Sequence, residues 1–392
     1  MKNLFCGLDI GSAKIKFLIV KRKQKGNLEL ILKGEEESQG IKKGTIVNPR
    51  RVANILQIIS KRVVRDTKKE IPPAFVNLGG SQVFAIPTRG LVSVSRADQK
   101  ISEEDVERVL KAAQAINLGA NKEILDILPT QYIIDSQEEV QDPVGLKGLR
   151  LEVEALILAG FSSYFENLKK AFLNSEIEVL DFIPSPLALS KSVLKERERD
   201  IGVCLLNIGA ETTEISIFED GKLIHFFAIP IGSLSITNKI AIFLKTDFEI
   251  AERIKIELGS CFAKGKRERI EIEGENLRFT KSSLSREIRE GYSKIFDQVK
   301  KELKKISKDK KLPGGIVLTG GGAKMKGLVE LAKQKFKLNS RIGKPKGILG
   351  LEEDPSFSLC AGLILAGIEQ QKDFQSPGIF SKIAKFFKNF LP

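Results

Sequence analysis

Three short stretches carry the residues with chemistry to offer. The first is Cys6-Gly7-Leu8-Asp9-Ile10-Gly11-Ser12-Ala13-Lys14-Ile15-Lys16, where an apolar run meets an acid, a glycine, a hydroxyl and a lysine. The second repeats the design as Cys204-Leu205-Leu206-Asn207-Ile208-Gly209-Ala210-Glu211-Thr212-Thr213-Glu214-Ile215. Asp9 aligns with Asn207 and Gly11 with Gly209, and the second copy reads as carrying one extra residue after its turn. Each copy predicts a strand, a tight turn and a returning strand; Asp220-Gly221 then makes a further turn into a third strand, Lys222–Ala228. Turns rich in Gly, Ser and Thr leave backbone N–H groups and hydroxyls unshielded, which suits a phosphate. The third stretch runs Gly314-Gly315-Ile316-Val317-Leu318-Thr319-Gly320-Gly321-Gly322-Ala323-Lys324-Met325, a strand that meets three glycines before a helix at Leu328–Phe336. Backbone without side chains at that junction lets a flat group such as a nucleobase lie against it.

Any one of these is an ordinary turn. Two copies of one hairpin, roughly 200 residues apart, argue an internally duplicated fold whose halves face a shared cleft.

The residues resemble the actin/Hsp70/hexokinase superfamily and, within it, the FtsA family of bacterial cell division proteins. The resemblance extends over nearly the whole chain, through Ser38-Gln39-Gly40-Ile41-Lys42-Lys43-Gly44-Thr45-Ile46-Val47, Ile229-Pro230-Ile231-Gly232, Ile236-Thr237-Asn238-Lys239-Ile240-Ala241 and Ala251-Glu252-Arg253-Ile254-Lys255, closed by Gly259. It implies an α/β, actin-like duplicated two-lobe fold with a nucleotide cleft, a small α+β subdomain inserted in the first lobe, and a C-terminal amphipathic helix. ATP and Mg²⁺ are the implied cofactors. By resemblance, Gly11, Ser12 and Ala13 hold the phosphates with Gly209, Thr212 and Thr213, while Lys14 neutralises their charge. Asp9 holds Mg²⁺ through waters, Glu252 and Lys255 contact ribose and adenine, and Gly320, Gly321, Gly322 and Met325 complete the nucleotide site.

Two departures from the family pattern bear on hydrolysis. Asn207 stands where most relatives carry a second Asp, and an amide orients a water but takes no proton and pulls less on a metal. Glu211 stands where relatives often have glycine, a negative charge beside phosphates unless it points away or meets a cation. The hinge segment Pro184-Ser185-Pro186-Leu187-Ala188-Leu189 has no Gln or Glu to orient a water. The expectation is a nucleotide binder that is at most a slow ATPase.

The resemblance also implies partners: the acidic C-terminal peptide of FtsZ, further copies of the chain in a filament, an anionic membrane surface, and other division proteins through the inserted subdomain. Arg286, Arg289 and Lys294, on one long helix of the second lobe, are the candidates for the FtsZ peptide. The implied location is the cytoplasmic face of the inner membrane at the division site, as a peripheral protein. Two other readings share the turns: a PilM-type ATP-binding protein of pilus assembly, and a small-molecule kinase of the superfamily.

Composition bounds these readings. The 392 residues are 42% hydrophobic and 29% charged, a globular balance with room for more than one core. The net charge of +14 raises nucleic acid as a partner, but the lysines run in glutamate-mixed, aromatic-poor stretches such as Lys300–Lys311. Solvated faces and no nucleic acid are the expectation. The four cysteines are scattered, and at least two sit in apolar strands, so they read as buried hydrophobes. With His225 the only histidine, a His-based metal site or triad is excluded. No secretory leader is expected, because Asp9 interrupts the early apolar run, and no run is long enough to span a bilayer.

The chain divides by pattern into 1–83 (first lobe), 84–160 (inserted subdomain, as two strands from Phe84 to Val94, a helix and two more strands), and 161–198 (first lobe and hinge). The second lobe follows as 199–235, an outer subdomain at 236–305, and 306–369, whose closing helix Leu359–Ile368 is expected against the second sheet. A polar linker covers 370–377. From 378 to 392, Ile379, Phe380, Ile383, Phe386, Phe387, Phe390 and Leu391 share one arc of a helix, and Lys382, Lys385 and Lys388 lie on the other. Aromatic residues opposite lysines mark an interfacial membrane helix.

Overall fold

The computed structural model describes residues 3–263, 269–272 and 277–373. The expected membrane helix at 378–392 and the end of the expected linker lie outside them.

The first hairpin is β1 (Leu4–Ile10) and β2 (Lys14–Arg22), continued by β3 (Leu28–Glu37). The short hairpin β4 (Ile41–Lys42) and β5 (Thr45–Ile46) leads into α1 (Pro49–Thr67). Asn48 caps α1 by accepting from Arg51 N, Pro49 occupies the first turn, and Val52, Ile55, Leu56, Ile59 and Val63 form the buried stripe. The fully buried β6 (Ala74–Leu78) then pairs parallel with β1.

The inserted subdomain is β7 (Val83–Ser93), α2 (Glu103–Gln114), β8 (Lys122–Ile134), β9 (Glu138–Val140) and β10 (Arg150–Phe161), with sheet order β7-β10-β8-β9. Its opening is one long strand, where the sequence suggested two. Ser102 and Asp105 form a capping box, and α2 packs Val106, Val109, Leu110 and Ala113 on the sheet as a separate small core.

The chain returns through α3 (Ser162–Leu173), β11 (Val179–Pro184), α4 (Ser185–Val193) and α5 (Glu196–Ile201). The second lobe opens with β12 (Val203–Ile208), β13 (Thr213–Glu219) and β14 (Lys222–Ile229). There follow α6 (Leu234–Leu244), α7 (Phe248–Leu258), β15 (Arg269–Ile272), β16 (Leu277–Thr280) and α8 (Lys281–Lys305). The lobe closes with β17 (Ile316–Thr319), α9 (Leu328–Phe336) and β18 (Ser340–Ile342); β19 (Ile348–Leu349) and α10 (Ser358–Asp373) come last.

The two principal sheets repeat one topology. The first is ordered β11-β6-β1-β2-β3-β19, the second β18-β17-β12-β13-β14 when read in the same direction. In both, the hairpin strands run antiparallel and the next two strands pair parallel. Leu206, Ile208, Ile215 and Ile217 enter the second-lobe core with α8, whereas Val203, Leu205, Phe218 and Phe226 join the core that holds the first sheet. That period-two division makes the lobes one packed body.

Two expectations change here. The final helix packs on β1, β6, β11 and α4 of the first lobe, not on the second sheet. A Cβ on Gly7 would lie 2.4 Å from the Cys360 carbonyl oxygen, so glycine in β1 is what admits the helix. Leu205 occupies the matching position of β12. Moreover, α10 runs on to Asp373, into the stretch read as a linker, and Lys191 of α4 pairs with Glu369 at 2.5 Å.

Candidate functional site

The repeated hairpins and the glycine turn after β17 converge on a cleft of about 420 Å³ between the lobes. Asp9, Gly11, Ser12, Ala13 and Lys14 line it from one side, and Asn207, Gly209 and Thr212 from the other. Glu252 and Lys255 of α7 and Gly320, Gly321, Gly322 and Met325 complete the wall. Thr213 is the exception among the expected residues. It is fully buried and donates its hydroxyl to the Ile231 carbonyl at 2.8 Å, so it serves the strand end rather than the cleft.

In the first hairpin the ladder sets Asp9 opposite Lys16, with 4.0 Å between carboxylate and ammonium and both side chains largely buried. Burial pushes the Asp9 carboxyl above its ordinary value, and the Lys16 charge pulls it partly back. Lys14, expected to neutralise phosphates, lines the cleft but is hydrogen-bonded to Glu35 and stands 3.9 Å from Glu37. The Glu35 bond raises its pKa. Lys16 is therefore the less committed cation, and the sequence reading passed over it. Strand alternation was the available signal, since Lys14 and Lys16 share a face of β2.

The second hairpin has no extra residue. Asn207 faces Glu214 across the ladder at the same interval as Asp9 and Lys16, so Glu214 is the counterpart of Lys16. Asn207 Nδ2 donates to Glu214 Oε2 at 2.9 Å, and Gly80 N of the first lobe donates to Oε1 at 2.7 Å. Glu214 is 5% exposed; burial raises its pKa, the two donors lower it, and the nearby Asp9 charge raises it further. Glu211 points away from the cleft and accepts from Lys43 N at 2.5 Å, bridging to the β4–β5 turn of the other lobe. That turn is also tied to the first hairpin, where Gly44 N donates to Ser12 Oγ at 2.9 Å.

At the third turn, Gly320 has φ of 86°, and a Cβ there would lie 2.4 Å from Asn207 Oδ1. Beside it, a Cβ on Gly321 would meet nothing within 4 Å, so the missing side chain leaves open space along the cleft wall. Tyr292 of α8 fixes the turn by donating to the Gly322 carbonyl at 2.8 Å. Lys255 is 4% exposed and donates to Glu252 at 2.6 Å, Thr237 Oγ1 at 2.7 Å and Ser233 O at 3.2 Å. Its burial lowers its pKa against the pull of Glu252. The pair is thus a bridge at the cleft wall between a buried ammonium and a half-buried carboxylate.

These features fit an elongated polyphosphate carrying a flat group. The turn backbones and Lys16 suit the anion, and the space over Gly321 suits the flat end. Among the described residues no group of three or more His, Cys, Asp or Glu side chains is placed to hold a metal ion. A divalent cation would therefore rely on Asp9, water and the ligand's own oxygens.

Two family profiles match the chain: "Cell division protein FtsA" over residues 204–362, and "SHS2 domain inserted in FTSA" over residues 80–159. Over 386 residues the chain is 34% identical to FtsA of Pseudomonas aeruginosa, covering 96% of this chain and 92% of that protein. The chain belongs to the FtsA family of cell division proteins. FtsA of Bacillus subtilis is 33% identical over 368 residues, 92% of this chain and 83% of its own. Among solved structures, the PilM-PilN type IV pilus biogenesis complex is similar with TM-score 0.68 and 18% identity, covering 93% and 98% of the two chains. MreB 5 of Spiroplasma citri bound to AMPPNP gives 0.59 and 13%, covering 96% and 99%. At those identities the likeness is one of fold, the actin-like fold, and the PilM reading has no further support.

The helix expected to bind the FtsZ peptide carries all three of its candidates exposed. Arg286 lies 3.2 Å from Glu287, and Arg289 stacks over the Phe262 ring at 5.8 Å. Lys239 of α6 pairs with Glu287 and Glu290 beside them. That FtsA-family surface is mixed in sign, not a uniform basic patch. All four cysteines are buried and free, and no helix among the described residues is long and apolar enough to cross a membrane.

Proposed function

We propose that this FtsA-family chain is an ATP-binding, filament-forming adaptor that tethers FtsZ filaments to the cytoplasmic face of the inner membrane at the division site. The convergence of both hairpin turns and the glycine turn on one cleft, with Asp9 and Lys16 facing each other inside it, carries the nucleotide part. Gly11, Ser12, Gly209 and Thr212 would hold the phosphates with Lys16, Asp9 would hold Mg²⁺ through water, and Glu252, Lys255 and Gly320–Met325 would take ribose and adenine. Bound MgATP would supply negative charge to both phosphate turns, and the groups of the two lobes that meet it there would favour closure.

The membrane part rests on the pattern at 378–392. Burying seven large apolar side chains at about 2 kcal/mol each is offset by the cost of ordering the helix. One tail therefore binds modestly, and a filament multiplies it. FtsZ and other division proteins are the partners in this reading, the latter through the inserted subdomain. Co-sedimentation with anionic liposomes tests it: deletion of residues 378–392, or Asp at Phe386 and Phe387, abolishes binding while nucleotide affinity survives. Undiminished liposome binding after the deletion overturns the adaptor assignment.

A further inference from the structure

We infer that Glu214 is the general base for water attack on the terminal phosphate, positioned by Asn207 and Gly80 with Ser185 beside it. This rests on the reading of the cleft as an ATP site. Among the described residues four carboxylates line the cleft, Asp9, Glu35, Glu214 and Glu252. Three of them face a cation: Asp9 has Lys16, Glu35 has Lys14, and Glu252 has Lys255. Glu214 instead is held by two neutral donors, Gly80 N on Oε1 and Asn207 Nδ2 on Oε2. Each fixes one lone pair of one oxygen, and a carboxylate has about four such sites, so an oriented acceptor remains free on each oxygen.

A second observation points to the same place. The Ser185 hydroxyl, at the start of α4, is fully buried and has no hydrogen-bond partner among the described residues. A Cβ on Gly79 would fall 2.4 Å from Ser185 Oγ and 2.3 Å from Glu214 Oε1, so the two oxygens converge over that glycine. A buried hydroxyl without a partner is costly unless something else satisfies it. A water between Ser185 and Glu214 would do so, and of the groups around it Gly79 and Glu214 line the cleft. The donors to Glu214 come from opposite lobes, so the carboxylate is aligned when the lobes are closed.

The step balances as follows. Glu214 accepts one proton from the water while the water oxygen bonds to the γ-phosphorus. The bond from phosphorus to the β–γ bridging oxygen breaks, and that oxygen leaves on ADP with the electron pair. ADP, inorganic phosphate and a protonated Glu214 result, and solvent takes the proton to reset the carboxylate. Asn207 is then a positioning residue. An Asp there would set carboxylate against carboxylate, which the amide avoids by donating.

Single-turnover hydrolysis and equilibrium titration with a fluorescent ATP analogue, both on the full chain with Mg²⁺, test the inference. Glu214→Gln keeps analogue affinity within about threefold and slows hydrolysis at least about a hundredfold, the range for a general base. Asn207→Asp also slows hydrolysis with affinity kept, and the Asn207→Asp/Glu214→Gln double variant, which exchanges donor and acceptor, is no slower than Glu214→Gln. Ser185→Ala, a small change at a packed site, slows hydrolysis several-fold and serves if Glu214→Gln fails to fold. The inference is overturned by wild-type hydrolysis in Glu214→Gln or in Ser185→Ala, by faster hydrolysis in Asn207→Asp, or by a wild-type chain that binds but never hydrolyses. A wild-type chain that does not bind the analogue overturns the ATP reading itself.

Discussion

The Asn207 amide donates to the Glu214 carboxylate at 2.9 Å across one hairpin, where the equivalent pair in the other hairpin, Asp9 and Lys16, stands as an ion pair at 4.0 Å. The duplicated turns are thus alike in backbone and different in charge. One side of the cleft presents a paired acid and base, and the other a neutral donor holding an acid.

Asp9→Ala and Gly321→Asp each weaken ATP and its non-hydrolysable analogue alike, by at least about tenfold. The first removes the buried carboxylate opposite Lys16. The second places a charged side chain in the open space left by glycine. Titration of each variant with both ligands checks this. Loss of ATP affinity alone would assign the residue to hydrolysis.

Lys16→Ala lowers nucleotide affinity more than Lys14→Ala does, by roughly tenfold against less than about threefold. Lys14 is already engaged by Glu35, while among the described residues Lys16 pairs with the more distant Asp9. Equal losses would place both ammonium groups on phosphate and remove the distinction.

Stability depends on pH through the junction between the inserted subdomain and the first sheet. Burial pushes Asp126 of β8 up to about 7, helped by the Asp181 charge, and Asp181 of β11 up to about 6, from an ordinary 3.8. The folded chain then holds protons that the unfolded chain has released, so stability falls as pH rises from about 4 to about 7 and is level above. Asp126→Asn flattens that slope and raises the melting temperature at pH 8 by a few degrees. Circular dichroism melts between pH 5 and 8 would show it; a variant less stable at pH 8 contradicts the sign.

Charge reversal at Arg286 and Arg289 reduces affinity for an acidic FtsZ C-terminal peptide severalfold, and added salt weakens the wild-type association. Because Glu287 and Glu290 dilute the positive field on this face, the salt dependence is shallow. Unchanged peptide affinity in the double reversal removes this helix face as the docking site.

Local pattern already determined much of this protein. Turn chemistry located both hairpins, the glycine turn and the helix that follows it, because these depend on residues close in sequence. The duplication was legible for the same reason, and so were the cleft-lining residues that sit on those turns. Tertiary structure decided what depends on partners far along the chain. Which of the two cleft lysines stays less engaged followed from Glu35 on a third strand claiming Lys14. The direction of Glu211 followed from a backbone N–H in the other lobe. Glu214 entered the site through a cross-strand partner and a glycine of the first lobe, neither visible in its own neighbourhood. The last helix could settle on either sheet by composition; Gly7 in β1, against Leu205 in β12, leaves room for its backbone on the first sheet only.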